Sequence, residues 1–186
     1  EQMTAKNIGE INIIENATKS IGMYAYDTDG FDSLMGKIDI ENNGEITIGK
    51  DSTGMYYEDQ DGEAVDGRVY GGVNNGSNGI IKSDSENAMG IYMNSKAYKG
   101  NGTNKELNNK GLIELTGDKS IGIYAAGDMN YSVQNNGTIK IGDSVDRRNP
   151  SVGMFTDNSS ITLFNNGKIT VGKNSVGIYS INESGV

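Results

Sequence analysis

Aliphatic and polar residues alternate along this chain in two short blocks that recur in the same order. The first block is N-x-G-x-Φ-x-Φ, where Φ is aliphatic, as in NNGEITI at 42–48 and NNGTIKI at 135–141. The second is small-Φ-G-Φ-aromatic, as in SIGMY at 20–24 and SIGIY at 120–124. Alternation with a period of two residues is typical of half-buried strands rather than helices. A weaker alternating segment precedes each Asn, so the pattern predicts three strands per unit.

The glycines of the second block measure the length of each unit. They fall at 22, 54, 90, 122, 153 and 177, so successive units take 32, 36, 32, 31 and 24 residues. Such a unit cannot bury its apolar face alone, and stacking on equivalent units creates the core. The pattern therefore predicts an all-β fold, a right-handed single-stranded parallel β-helix (solenoid) of about six three-strand coils. An antiparallel sandwich also uses Asn-Gly turns, but it has no reason to repeat one block order without reversal.

Stacked coils place equivalent side chains in columns. The aliphatic residues of both blocks are expected to point inward, including those that precede the glycines, such as Ile21, Ile121 and Val176. The Asn residues of the first block should form a side-chain ladder. Its predicted members include Asn42, Asn135 and Asn165, with Asn74 from the looser copy NNGSNGII at 74–81 and either Asn108 or Asn109.

The aromatic residues of the second block form a second predicted ladder, beside the glycine column. Its members are Tyr24, Tyr56, Tyr92, Tyr124, Phe155 and Tyr179. The structural interpretation is that the rings cover the glycines of adjacent coils and stiffen the sheet. The functional alternative is a stripe on which sugars stack.

Length variation falls mostly between the aromatic residue and the next Asn block, in segments 25–37, 57–69, 93–106 and 125–131. Because the coils stack in register, these insertions should leave from one corner and form a composite binding face. Exposed aromatic residues beside carboxylates suit sugar or protein contacts. The predicted ligand-binding residues are Tyr26, Phe31, Tyr57, Asp59, Asp61, Tyr70 and Tyr98. A different insertion, DSVDRRNPS at 143–151, offers Arg147 and Arg148 to an anionic ligand, although a solvated loop is the simpler interpretation.

Composition excludes several kinds of chemistry. Cys and His are both absent, which removes disulfide frameworks, Ser-His and Cys-His catalysis and thiolate or imidazole metal centres. The acidic segments at 27–33 and 58–63 lack the spacing of an EF-hand, so no metal and no cofactor are predicted. A net charge of −9 disfavours nucleic acid as a partner, and no apolar run is long enough for direct membrane insertion.

The cadence N-x-G-x-I-x-I followed by S-x-G-I-Y resembles the passenger regions of the very large fusobacterial type V autotransporter adhesins. The likeness covers nearly the whole chain. It implies that residues 1–186 are a single β-helix fragment of a larger secreted protein, displayed outside the outer membrane by a C-terminal β-barrel absent from this sequence. The implied location is the bacterial cell surface. In that family, loops on such regions bind other bacteria, host glycans or host receptors.

The function expected from these observations is adhesion without catalysis. A rigid rod would present loops to a glycan or protein of a host or bacterial cell surface. Two alternatives stay open, namely a passive spacer with binding elsewhere in the parent chain, and a polysaccharide-degrading β-helix enzyme. Glycoside hydrolysis needs two carboxylates at a fixed separation, whereas the carboxylates of this chain lie in loops with no repeated geometry.

Overall fold

The computed structural model describes residues 2–14, 16–27, 37–59, 71–95, 106–127, 132–157 and 161–181. Within these ranges the chain forms eighteen strands and no helix, arranged in three six-stranded sheets. Three consecutive strands make one coil, and each coil contributes one strand to each sheet. We number the coils 1 to 6 in chain order and name the sheets A, B and C. Because the described residues form no helix, none of them forms a helix that could cross a membrane.

The strand bounds follow the repeat. Sheet A contains β1 (Gln2–Asn7), β4 (Lys37–Asn42), β7 (Gly71–Asn75), β10 (Glu106–Asn109), β13 (Ser132–Asn135) and β16 (Thr162–Asn165). Sheet B contains β2 (Glu10–Asn12), β5 (Glu45–Thr47), β8 (Ile80–Ser83), β11 (Leu112–Leu115), β14 (Thr138–Ile141) and β17 (Lys168–Val171). Sheet C contains β3 (Ile21–Asp27), β6 (Thr53–Asp59), β9 (Met89–Ser95), β12 (Ile121–Ala126), β15 (Val152–Thr156) and β18 (Val176–Ser180).

Every strand pairs in parallel with its equivalent in the neighbouring coil. Asn42, for example, pairs with Asn7 on one side and with Asn75 on the other. This register confirms the predicted parallel β-solenoid and excludes the antiparallel sandwich. The right-handed sense of winding stays a prediction of the sequence.

The core is a set of aliphatic columns inside the three sheets. In sheet B the column Ile46, Ile81, Ile113 and Ile139 is fully buried, because each side chain has a neighbour above and below. Its partly buried end member Ile11 lies in coil 1, which has a neighbouring coil on one side. Stacking of coils, rather than any single coil, therefore makes the interior.

The predicted inward position of the residue before each glycine is wrong for Ile21, which is 43% exposed, and Ile121 and Val176 are only half-buried. The glycine itself occupies the inward position. A Cβ on Gly22 would lie 2.8 Å from Cγ2 of the core residue Ile46. The alternation therefore resets at each glycine, and the residue that follows it enters the core in coils 1 to 5. The predicted core position of Ile178 in the last coil is wrong, because this side chain is 46% exposed.

Candidate functional site

The interior Asn ladder is a continuous chain of amide hydrogen bonds through all six coils. Each Nδ2 donates to the Oδ1 of the next coil, at 2.9, 2.9, 2.7, 2.7 and 2.8 Å. The members are Asn7, Asn42, Asn75, Asn109, Asn135 and Asn165. Most of these side chains are buried, so the ladder holds adjacent coils in register and does not offer its amides to a ligand.

The predicted membership of Asn74 in this ladder is wrong, because Asn75 takes that position. In the other NNG copies the ladder residue lies two positions before the glycine, which would select Asn74. In coil 3 the turn is two residues longer, and the amide of Ile80, after Gly79, bonds the carbonyl of Gly44. Gly79 rather than Gly76 is therefore equivalent to the glycine of the other copies. Because the turn contains two extra residues, the ladder residue lies four positions before Gly79, which is Asn75 and not Asn74.

The six predicted aromatic residues do form a ladder on the outer face of sheet C. Successive ring centroids lie 5.4, 4.7, 5.2, 4.8 and 5.5 Å apart. Because the rings pack on one another, the four interior rings are only partly exposed to solvent. Tyr56 Oη donates to Glu58 at 3.2 Å, and Tyr124 Oη donates to Asp157 at 2.7 Å. Burial raises the pKa of the Tyr56 and Tyr92 hydroxyls.

This packing limits the ladder as a sugar-binding stripe. A pyranose ring stacks on an aromatic face, and the faces between successive rings are already occupied. Tyr24 and Tyr179, at the two ends, are the most exposed members of the ladder. The predicted stacking of the rings is confirmed, and their role in stiffening sheet C stays a prediction.

The predicted ligand-binding residues divide into three groups. Phe31, Asp61, Tyr70 and Tyr98 lie outside the described residues. Tyr26 is exposed on the outer face of sheet C, with its ring 6.2 Å from that of Tyr24.

The prediction that Tyr57 and Asp59 lie in an exposed insertion is wrong. Strand β6 continues to Asp59, and both side chains occupy inward positions with exposures of 0% and 1%. Asp59 accepts a hydrogen bond from the Ser95 hydroxyl at 2.8 Å. Neither side chain can reach a ligand at the surface.

A polar groove of about 280 Å³ opens instead on the outer face of sheet A at β7. Gly72 occupies an outward position in β7, where the neighbouring strands carry Asp39 and Glu106. Its φ is +157°, and a Cβ built on it would collide with the backbone of Glu106. The backbone of coil 3 therefore has no room for a side chain at position 72, and the sheet has a gap there.

Carboxylate, amide and ammonium groups surround the gap at Gly72. Asp39 and Glu106 lie one strand to either side of Gly72, so their backbones are about 9 to 10 Å apart at the usual strand spacing. A second outward column adds Glu41, Asn74 and Asn108. The lining is completed by Thr4, Lys6, Ile40, Gly71, Val73 and Lys110.

Two features of the second column are electrostatic. The Lys6 ammonium lies 2.7 Å from a carboxylate oxygen of Glu41, and its hydrogen bond lowers the pKa of that carboxyl. Oδ1 of Asn74 is buried and has no hydrogen-bond partner. A buried amide oxygen without a donor is costly, so a ligand with a hydroxyl or N–H group would relieve that cost.

The groove includes the first residues of two strands that follow long insertions in the sequence. Strand β7 begins at Gly71, directly after residues 60–70, and β10 begins at Glu106, directly after residues 96–105. Sequence reasoning missed the groove itself. Its signal is the pair Gly71-Gly72 inside a strand, because glycine in a strand interior often marks a close approach of backbones.

Comparison with known proteins identifies the family. A family model described as the BigA third pectate lyase-like domain matches residues 28–185. The chain belongs to this family. BigA is an autotransporter-type adhesin, so the match supports a passenger β-helix segment at the cell surface or in the extracellular space. No curated protein and no solved structure matches the chain.

Within this BigA-type pectate lyase-like fold, the groove is suited to hydrogen bonding. Among the described residues, no group of three or more acidic side chains is placed to hold a metal ion. The lining carries charges of both signs and amide groups that donate and accept. Such a surface matches a ligand with many hydroxyl groups better than a single ion of either charge.

Proposed function

We propose that the chain is a rigid segment of a cell-surface adhesin passenger and that its groove at Gly72 binds a cell-surface glycan. The observation that carries this proposal is the gap at Gly72 in an outward column of side chains on sheet A. The repeat fills this outward column with Thr4, Asp39, Glu106 and Ser132 in neighbouring coils, and coil 3 alone among the first five leaves it open. A repetitive rod needs no such gap for its stability.

The lining supports a polyhydroxylated ligand. Sugar hydroxyl groups donate to carboxylates and accept from ammonium and amide groups, and the groove offers all three within one open space. Rotation about the last side-chain torsion of Asn74, which is broad for Asn, would bring its unpartnered amide oxygen toward a ligand hydroxyl. The same ligand would then contact Asp39 and Glu106 on the two sides.

The wider biological setting is part of the same proposal. The repeat cadence resembles fusobacterial type V adhesins, and on this resemblance we propose that the partner lies on another bacterium or on a host cell. The parent protein would be anchored in the outer membrane.

A glycan-degrading enzyme is the second candidate, because two carboxylates, Asp39 and Glu106, flank the groove and glycoside hydrolysis uses a pair of carboxylates. We propose binding without turnover. Glycoside hydrolysis relies on two carboxylates held rigidly at a fixed separation, whereas Glu106 is exposed to solvent. Binding alone requires only the hydrogen-bonding surface.

Glycan arrays and whole-cell binding test this proposal. The groove variant Asp39→Asn/Glu106→Gln is compared with the wild-type chain and with a control, Glu45→Gln/Glu114→Gln, which makes the same charge change on sheet B. We expect the groove variant to lose at least tenfold in affinity and the control to lose none. Equal binding by both variants overturns the groove assignment. Absence of binding by the wild-type chain supports the spacer, and release of shortened oligosaccharides supports the enzyme.

A further inference from the structure

The corner between sheets B and C is rebuilt in coil 5. Coils 2, 3, 4 and 6 make this corner in four or five residues, whereas coil 5 uses residues 142–151. The short corners place a residue with φ near +55° directly before the small residue of the second block, as at Lys119 and Asn174. Coil 5 has Pro150 at that position, and proline cannot adopt a positive φ. The short turn is therefore unavailable to coil 5.

The base of the longer loop is fixed to the coils on both sides. Ser144 is buried, and its hydroxyl donates to Oδ1 of Asp118 in coil 4 at 2.9 Å. The same hydroxyl oxygen accepts from the Ser151 amide at 2.7 Å. The Ser144 amide donates to the carbonyl of Lys173 in coil 6 at 2.8 Å. This loop is thus ordered by the rod and does not depend on a partner for its shape.

The carboxylates of this corner are turned toward backbone amides. Asp118 accepts from the amide of Val145 at 3.0 Å, and this hydrogen bond is the main cause of its lowered pKa. Asp143 accepts from the amide of Lys173 at 2.7 Å, and Asp146 accepts from the amide of Arg148 at 2.9 Å. Asp118, Asp143 and Asp146 therefore help to hold the loop through these hydrogen bonds.

The cations of the same corner are Lys119, Arg147, Arg148 and Lys173, which we name the basic corner; the last three are exposed and Lys119 is half-buried. The Arg148 side chain is 93% exposed, with its Nε 3.6 Å from Asp146. The other three form no ion pair with any described carboxylate. In the equivalent corner of coils 2 and 3, by contrast, Lys50 is paired with Glu86.

We propose that the basic corner binds a glycan that carries carboxylate or sulfate groups. Its four cations belong to three successive coils, spaced at about 4.8 Å along the rod. Charges spread along the rod in this way suit a linear polyanion better than a single small anion. Arg147 and Arg148 add planar forks that bind oxyanions with two parallel hydrogen bonds. The carboxylates of Asp118, Asp143 and Asp146 lie in the same corner, so its four cations leave an excess of one positive charge there. Physiological salt screens the more distant charges of the chain, whose net charge is −9, beyond about 8 Å.

This surface is separate from the groove, which is lined by residues of sheet A in coils 1 to 4. Binding at the basic corner should depend strongly on salt, because it releases counterions from the polyanion. Binding at the groove should depend on salt only weakly, since it rests on hydrogen bonds to hydroxyl groups. The two assignments therefore make different predictions for the same protein.

Affinity for immobilised heparin tests the proposal, with Arg147→Gln/Arg148→Gln as the test variant. The control Lys82→Gln/Lys140→Gln removes two cations from ion pairs on sheet B. We expect the test variant to bind heparin at least tenfold more weakly, with a salt dependence reduced by about two charges. The control and the groove variant Asp39→Asn/Glu106→Gln should bind like the wild-type chain. Circular dichroism confirms that each variant is folded.

Further ligands separate the sources of negative charge. Hyaluronan carries carboxylates only, so binding to both hyaluronan and heparin supports recognition of either group, and binding to heparin alone supports recognition of sulfate. The Arg147→Lys/Arg148→Lys variant should recover part of the affinity. The proposal is overturned if the wild-type chain is not retained on heparin, if the control loses as much as the test variant, or if poly-glutamate binds as well as the glycans.

Discussion

Replacement of Asn109 by alanine should destabilise the rod strongly, because this side chain is fully buried in the middle of the Asn ladder. It accepts from Asn75 Nδ2 and donates to Asn135 Oδ1, both at 2.7 Å. Each buried polar group left without a partner costs about 1 to 3 kcal/mol. Asn75 keeps a weaker contact with the Gly79 carbonyl at 3.4 Å, so its cost falls at the low end. We therefore expect a total loss of about 3 kcal/mol.

Urea unfolding followed by circular dichroism measures this loss, and Asn165→Ala is the matched control. Asn165 is the exposed last member of the same ladder and accepts one hydrogen bond, from Asn135 at 2.8 Å. Water can replace that bond, so the control should lose less than about 1 kcal/mol. Equal losses for Asn109→Ala and Asn165→Ala would refute the idea that burial of the amide chain holds the coils together.

Three further predictions address the glycine column, the serine column and a loop carboxylate. Gly122→Ala should cost about 1 to 3 kcal/mol in urea unfolding, since its Cβ would lie 2.5 Å from a glycine carbonyl oxygen of the next coil, whereas Gly9→Ala, with nothing within 4 Å, should be nearly neutral. In other coils a serine hydroxyl accepts a hydrogen bond from the serine amide of the preceding coil, as between Ser52 and Ser20. Ala88→Ser would supply this acceptor to the amide of Ser52 and should raise stability by about 0.5 to 1.5 kcal/mol. A lower unfolding midpoint would contradict this. Because the pKa of Asp118 is lowered in the folded state, its carboxylate stabilises the fold at pH values above the ordinary carboxyl pKa. This stabilisation is lost as the pH falls through the pKa of the folded state. Asp118→Asn should therefore flatten the acid limb of a curve of stability against pH.

The regular part of this molecule could be predicted from sequence because each strand repeats the same chemistry. Alternation of period two identified the strands, and the unreversed order of the blocks required parallel stacking. The aromatic ladder followed from the same register, as did the positions of Asn42, Asn135 and Asn165.

The errors arose where local backbone geometry changes the phase of the repeat. Two extra residues in the turn after Asn75 moved the ladder position away from Asn74. A glycine in the inward position of sheet C reset the alternation and left Ile21 outside. The first change is visible in the sequence only as the looser copy NNGSNGII, and the second leaves the residue types of the block unchanged.

The groove and the burial of Asp59 lay beyond sequence reasoning for a different reason. Sequence offers no ground for an inward Asp, because an acidic side chain is seldom fully buried without a partner, and that partner, Ser95, comes from the next coil. The groove depends on the φ of Gly72 and on the side chains of two neighbouring strands. Both features require the register of adjacent coils, which no single segment of the chain contains.

The most direct test of the central claim is a nuclear magnetic resonance titration of the isotope-labelled chain with the strongest glycan found on the array. The account predicts concentration-dependent shifts of the backbone amides of Asp39, Gly72 and Glu106, with no shift at Glu114 on the outer face of sheet B. Shifts confined to the aromatic ladder, or an unchanged spectrum at Gly72 while the glycan is bound, would contradict it.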